Sequence, residues 1–331
     1  MIRYISIGTV VPLDFPGTRT LRRCLLVLLV LGVLFLPACS LRQMAMDEVA
    51  AALTGEGSSQ VFTADNDPEF VADALPFVIK LYESLLLANP GHLGLAKSTG
   101  SLYVMYANAF LHTPAGMCSQ EQFEEQEHLM MRAKNLYLRG RDFILSALEA
   151  KYPGFNRTLK AHSGNGECMH VAPADADLLY WAGAGWMGAF AIDPFDMELA
   201  VSLPQAAALM NKVMEVSPGF RGGAIHDFFI LYYGSLPEYM GGDAAKARRH
   251  FRMALDAGKY PSASPYLSLA TTVSVKEHNK QEFLDLINHA LAVDPEADRP
   301  NRLMHIINRR KATWLKDHVD DFFLPDETTG M

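Results

Sequence analysis

This 331-residue chain has few of the residue patterns that carry metal or nucleophile chemistry. It has four Cys and no C-x-x-C pair, and no two of its 11 His stand four apart, so the usual spacings of zinc ligands are missing. No G-x-x-x-x-G-K-[ST] stretch is present to cradle a phosphate, and no G-x-S-x-G to form a nucleophile elbow. No apolar run reaches the ~20 residues that a membrane-crossing helix needs. Alternating apolar and polar residues between hairpin turns are also lacking, which removes support for a sheet. The chain therefore reads as a non-enzyme that needs no cofactor and no metal.

Half of the residues are apolar, enough to bury one large core or two small ones. The longest apolar run lies at the N-terminus. Arg22 and Arg23 precede CLLVLLVLGVLFL, thirteen residues from Cys24 to Leu36, and PACS follows. Such a short run behind basic residues reads as a signal peptide over residues 1–38. Leu36-Pro37-Ala38-Cys39 looks like a lipoprotein box, although Pro37 is an uncommon occupant, and it makes Cys39 the lipidated first residue. Ser40 behind it carries no retention signal of the Asp type, which points to the outer membrane and a periplasm-facing body. Residues 39–66, with LTGEGSSQ, read as a tether, and residues 324–331 as a tail. Without residues 1–38 the chain keeps 25 basic and 36 acidic residues, a net charge of −11, which disfavours nucleic acid as a partner. Cys118 and Cys168 both stand in polar, Gly-containing stretches, and an even pair in an exported protein suggests one disulfide.

From residue 67 to 323 the pattern is helical almost throughout. Apolar residues recur at i, i+3, i+4 and i+7, and Pro or Gly interrupts them at the expected stops. The expected helices span about 68–88, 93–112, 119–151, 175–191, 203–216, 222–235, 243–257, 265–277, 280–293 and 299–322, with a long loop near 153–174. A spacing recurs within them. Val78, Tyr82, Leu85 and Pro90 stand 4, 3 and 5 apart, as do Ala206, Met210, Val213 and Pro218, and Phe283, Ile287, Ala290 and Pro295. Ala247, Phe251 and Ala254 keep the 4 and 3, with the proline displaced to Pro261. Small, large and small residues on one stripe let a partner helix approach, and the proline ends the helix. This is the signature of the second helix of a tetratricopeptide (TPR) hairpin, and the expected fold is an all-α, TPR-like solenoid of antiparallel hairpins.

The stretch GGDAAKARRHFRMAL fits that fold. Gly241 and Gly242 close a turn, Asp243 caps the next helix, and Ala247, Phe251, Ala254 and Leu255 form its apolar stripe. Arg248, Arg249 and Arg252 fall on the exposed side, either as a solvated basic face or as a docking surface for a protein. His226 and Asp227 are adjacent, so on a helix they point to different faces and make a poor catalytic dyad.

LLYWAGAGWMGAFAI, GAIHDFFILYYGSLPEYMGGDAAKARRHFRMAL, ASPYLSLATTVSVKEHNKQEFLDLINHALAVDPEAD and NRLMHIINRRKATWLKDHVDDFF occur in this order. Together they resemble the TatT family, TPR-containing lipoproteins that serve TRAP-type solute transporters. The Cys118 and Cys168 segments depart from that pattern. The resemblance implies a homotrimer that docks a DctP-like periplasmic solute-binding protein, with an internal cleft or pore for an apolar small molecule. Candidates for its lining are Tyr180, Trp181, Trp186, Phe190, His226, Phe229, Tyr232 and Tyr233, and plain core packing is the competing reading for each. A TPR-type envelope adaptor that binds a protein partner and no small molecule stays open as the alternative.

Overall fold

In a computed structural model of the chain, the residues described are 44–45, 47–55, 57–161 and 169–323. The chain divides into two compact units, Met1–Val49 and Ala50–Met331. The architecture below is that of the second unit. Among the described residues every regular element is helical, so the fold is all-α as expected.

Helix α1 (Pro68–Ala88) starts where Asp67 accepts a hydrogen bond from the Phe70 amide and Pro68 occupies the first turn. It stops at Asn89, ahead of Pro90. Helix α2 (Leu93–Ala107) is capped by the His92 ring and runs on through a π turn at Asn108–His112. Helix α3 (Phe123–Lys151) follows a capping box formed by Ser119 and Gln122. Then come α4 (Phe155–Ala161), α5 (Ala176–Ile192) and α6 (Met197–Val216), the last capped by Asp196. Helix α7 (Ala224–Ser235) leads to α8 (Ala244–Ala257), where Asp243 accepts from the Lys246 amide as its sequence position suggested. Helix α9 (Ser264–Leu269) runs into a second π turn, Ala270–Ser274. The chain finishes with α10 (Lys280–Ala292) and α11 (Arg302–Asp317).

Neighbours in sequence are neighbours in space: α2 packs on α3, α5 on α6, α7 on α8, and α9 on α10, while α3 and α5 join successive hairpins. The recurring spacing falls on the second helix of three of these hairpins. Ala206, Met210 and Val213 of α6 are fully buried, as are Phe283, Ile287 and Ala290 of α10. On α8, Ala247 and Ala254 are buried and Phe251 is half-buried. Helix α1 carries the same spacing but precedes its main partner α2.

Three features differ from the sequence reading. The loop expected near 153–174 contains α4, a short helix whose Phe155 and Leu159, one turn apart, are both buried. A one-turn helix, Gln60–Thr63, forms inside the stretch expected to be a tether, because Phe62 packs into a cluster with Val71, Leu75 and Leu303. The third is the largest. The last helix, α11, returns to the first: Leu303 and Ile307 share that cluster with α1, the Arg302 guanidinium donates to the Ala64 carbonyl at 3.0 Å, and Arg310 pairs with Glu69. Burying Leu303 and Ile307 contributes about 1.5–3 kcal/mol each. The hairpin array is thereby held shut between its first and last helices.

Candidate functional site

The closure of α11 on α1 brings residues from α3, α5, α7, α9, α11 and the π turn after α2 around one interior cluster. A π turn adds a residue to the helical turn and re-aims the side chains around it. Here Asn108 Nδ2 donates to the Tyr137 hydroxyl at 3.1 Å, and His112 Nδ1 lies 3.3 Å from the same oxygen. Tyr137 belongs to α3, and the ring packs where Gly188 of α5 offers no side chain: a Cβ there would fall 2.6 Å from it. On α7, Asp227 accepts from Ser264 of α9 and from the Ser268 hydroxyl, while its Oδ1 is buried with no hydrogen-bond partner. Lys311 of α11 lies close enough for its charge to act on Asp227 and His112, yet it makes no hydrogen bond or ion pair with any described residue.

The electrostatics follow from depth. Burial pushes the Asp227 carboxyl up, opposed by the two serines, and pushes the Lys311 ammonium down, opposed by Asp227. His112 falls to about 4 through burial first and the Lys311 charge second. The Tyr180 phenol of α5 rises to about 12, mainly through burial. His112, Tyr180, Asp227 and Lys311 all lie deep in the protein, yet each keeps accessible surface, and Asn108 is exposed.

Aromatic groups continue from this cluster. Tyr180 packs against Trp181 and Phe220, with centroids 5.3 and 5.1 Å away. Arg221 lies 5.3 Å over the Trp181 ring and donates twice to Asp177, at 3.0 and 2.9 Å. Its backbone has a left-handed φ of 45°, part of the turn Arg221-Gly222-Gly223 that starts α7. Gly223 is needed there, since a Cβ would meet the Ala254 carbonyl oxygen at 2.9 Å.

The residues singled out in the sequence divide. Tyr180, Trp181, Tyr232 and Tyr233 are half-buried and keep surface. Trp186, Phe190, His226 and Phe229 are buried, at 5, 4, 6 and 1% exposure. Trp186 instead borders a separate groove of about 400 Å³ between α3, α4, α5 and α6; Arg141 stacks 4.6 Å over its ring, and its indole donates to Ser202 at 3.0 Å. His226 Nδ1 lies 3.1 Å from His250 Nδ1 on α8, whereas Asp227 turns to α9. The adjacent pair is not a dyad. Gly183, Gly185 and Gly188 spell G-x-G-x-x-G, but inside α5, with no strand before them among the described residues; they admit Met210 and Tyr137 rather than a dinucleotide.

Of the three arginines, Arg248 is bound to Glu277 and Glu282 at 2.8 Å, and Arg249 and Arg252 are exposed. Cys118 is a free, half-buried thiol, and Cys168 lies outside the described residues, as does Cys39. Among the described residues no group of three or more His, Cys, Asp or Glu is placed to hold a metal ion, and no helix is long and apolar enough to cross a membrane. Lys311, His112, Asn108 and Tyr137 escape a reading of the sequence. NRRKATW looks like a solvated basic face, and nothing local announces that α11 closes on α1.

Comparison with known proteins adds two findings. Residues 64–323 match the family described as TAtT, the TRAP transporter T-component. An uncharacterized protein of Treponema pallidum (strain Nichols) is 35% identical over 303 residues, which is 86% of this chain and 93% of that protein.

Proposed function

Since the chain belongs to the TRAP transporter T-component family, an accessory component of solute transport rather than a family of enzymes, we propose that it docks a DctP-like periplasmic solute-binding protein and holds a small molecule in its interior. The observation that carries the ligand half of this reading is the cluster of His112, Tyr180, Asp227 and Lys311, each deep in the protein yet keeping accessible surface. Burial disfavours the charged form of Lys311, and among the described residues nothing accepts a hydrogen bond from it, so a bound molecule is a candidate acceptor. The aromatic run of Tyr180, Trp181 and Phe220 supplies the apolar contact. In this reading the array is a TPR-like solenoid, Cys39 carries the lipid, the body faces the periplasm from the outer membrane, and three copies assemble. Arg249 and Arg252 are the candidate docking cations, since Arg248 is already paired.

The test is capture from native membranes with the anchor in place, followed by identification of bound protein and of solvent-extracted small molecules. A DctP-like solute-binding protein together with a retained organic molecule is the expected result. Capture of cell-wall or secretion proteins, with nothing extracted, would favour the adaptor reading instead.

A further inference from the structure

Resting on the reading that α8 faces a protein partner, we propose that the groove between α8 and α10 seats a short amphipathic helix of a protein partner, with two large apolar residues four positions apart and a basic residue facing Asp285.

The groove has a volume of about 480 Å³, and its lining includes Phe251 and Leu255 of α8, Tyr266 of α9, and Asp285, Leu286 and His289 of α10. Helix α9 packs on both α8 and α10 and forms the floor. Phe251 meets the Tyr266 ring edge-on with centroids 5.4 Å apart, and the His289 ring stacks on Tyr266 at 5.4 Å. Arg248 bridges to Glu282 at 2.8 Å across one end. Leu255 and His289, each two helical turns further along, mark the other, so the groove runs for ~10 Å. Leu255 is 38% exposed, and Phe251 and Tyr266 are only half-buried, which leaves apolar surface uncovered.

The chain itself shows what such a groove accepts. The groove between α3 and α6 has the same build, two helices with α5 packed on both, and there the protein covers part of it with its own α4. That helix packs on α3 and α6 and buries Phe155 and Leu159, four positions apart. Its sequence, FNRTLKA, carries Arg157 and Lys160 and no acid. The exposed Lys160 lines the space that remains together with Glu198, which makes no ion pair among the described residues. Between α8 and α10 no described element takes the place of α4, and the groove stays open. The charge pattern recurs there. Glu282 is neutralised by Arg248, whereas Asp285 accepts from Gln281 Nε2 at 2.9 Å and makes no ion pair among the described residues. No Lys or Arg lines this groove, so a cation has to come from the occupant. A helix with apolar anchors at i and i+4 and a basic flank meets both needs.

The experiment titrates the full lipidated chain, extracted from membranes, into three fluorescein-labelled peptides held helical by a hydrocarbon staple, and reads fluorescence anisotropy. Detergent-only titrations are subtracted. The first peptide has Phe and Leu four positions apart and a Lys after the Leu; the second has Glu in place of that Lys; the third has Ser in place of Phe and Leu. The first should bind about tenfold or more tighter than the third, because its two apolar anchors are buried. It should bind about two- to fivefold tighter than the second. Asp285→Lys, at an exposed position, should reverse the order of the first two, and Leu255→Asn should weaken the first by about threefold or more. Circular dichroism checks that both variants fold, and the wild-type ranking decides without them. Equal binding of the first and third peptides, an order that Asp285→Lys leaves as it was, or no binding at all would overturn the proposal. Loss of self-association in Leu255→Asn, read by sedimentation, would also overturn it by making a second copy the occupant. The docking reading fails or stands separately. If no peptide binds but Arg249→Glu with Arg252→Glu still slows the solute-binding protein, α8 docks that protein without the groove. If the peptides rank as expected and the solute-binding protein ignores the double change, the groove assignment holds and the docking reading falls.

Discussion

Glu69 in the first turn of α1 pairs with Arg310 on α11, two residues 241 positions apart in the chain. The pair marks where the helical array is closed, but the apolar contact beside it supplies the strength. Both side chains are half or more exposed, and ion pairs of that kind contribute about 0–1 kcal/mol. Leu303, by contrast, is fully buried against Val71 and Leu75. Arg310→Ala should therefore lower unfolding stability by less than about 1 kcal/mol, and Leu303→Ala by about 2–5 kcal/mol. Urea denaturation of the two variants checks the order. Equal losses would mean that the closure is electrostatic.

Helices α2 and α3 approach closely at two glycines. A Cβ at Gly100 would lie 2.8 Å from the Gly140 carbonyl oxygen, and a Cβ at Gly140 would lie 2.7 Å from the Gly100 carbonyl oxygen. Backbone cannot swing aside as a side chain can. Either Gly→Ala change should destabilise by about 1–3 kcal/mol or more, despite the better helix propensity of Ala. A stability unchanged or raised in thermal unfolding would show that the two helices separate without penalty.

Three histidines set a pH response. His112 and His250 are each held to about 4, against an ordinary value of 6.5, chiefly by burial, and His226 is lowered as well. In the unfolded chain these rings bind protons from about pH 6.5 downward, and in the folded protein they resist until about pH 4. Between those values the unfolded state holds more protons, so stability is greatest above pH 6.5 and falls as pH drops towards 4. For His112 the loss amounts to roughly 3 kcal/mol. His112→Gln should flatten the fall between pH 6.5 and 4, read from urea midpoints at several pH values. A slope identical to that of the wild type would exclude His112 as a contributor.

The fold and the interior were legible to different degrees, for a physical reason. Helix ends are written locally: Asp67 and Asp243 accept the amide hydrogen bonds that their positions suggested. The stripe of Ala206, Met210 and Val213 likewise announces its own burial. Lys311 is different. Its role depends on α11 meeting α1, a contact across most of the chain that no local pattern encodes. The two π turns were equally hidden, since NAFLH and ATTVS read as ordinary helix. Among the aromatic residues, period alone did not separate Tyr180, which keeps surface, from Phe190 two to three turns along, which is core.

A lipid at Cys39 makes a prediction independent of the helical body. Cys39→Ser removes the thiol that would carry diacylglycerol, at a position outside the described residues. The variant should keep its helical circular dichroism and appear in the soluble fraction after cell breakage, whereas the wild type sediments with membranes. Membrane association that persists in Cys39→Ser would exclude the lipid assignment.

The three arginines of α8 provide the sharpest separation of stability from docking. Arg248 reaches across to Glu277 and Glu282, and the same Glu282 accepts from Ser274, so Arg248 ties α8 to the start of α10. Arg249 and Arg252 are exposed, as docking cations must be. Arg248→Ala leaves Glu282 short of its counter-charge and should lower the melting temperature by a few degrees, in line with about 1 kcal/mol or more for a partly buried, hydrogen-bonded pair. The double change Arg249→Glu and Arg252→Glu should leave melting nearly unchanged and, under the proposed docking, slow association with a DctP-like solute-binding protein and reduce its sensitivity to salt, the mark of charges at the rim of an interface. Association kinetics at low and high ionic strength distinguish the outcomes. If the double variant binds as fast as the wild type at low salt, this face is a solvated helix surface and docking lies elsewhere.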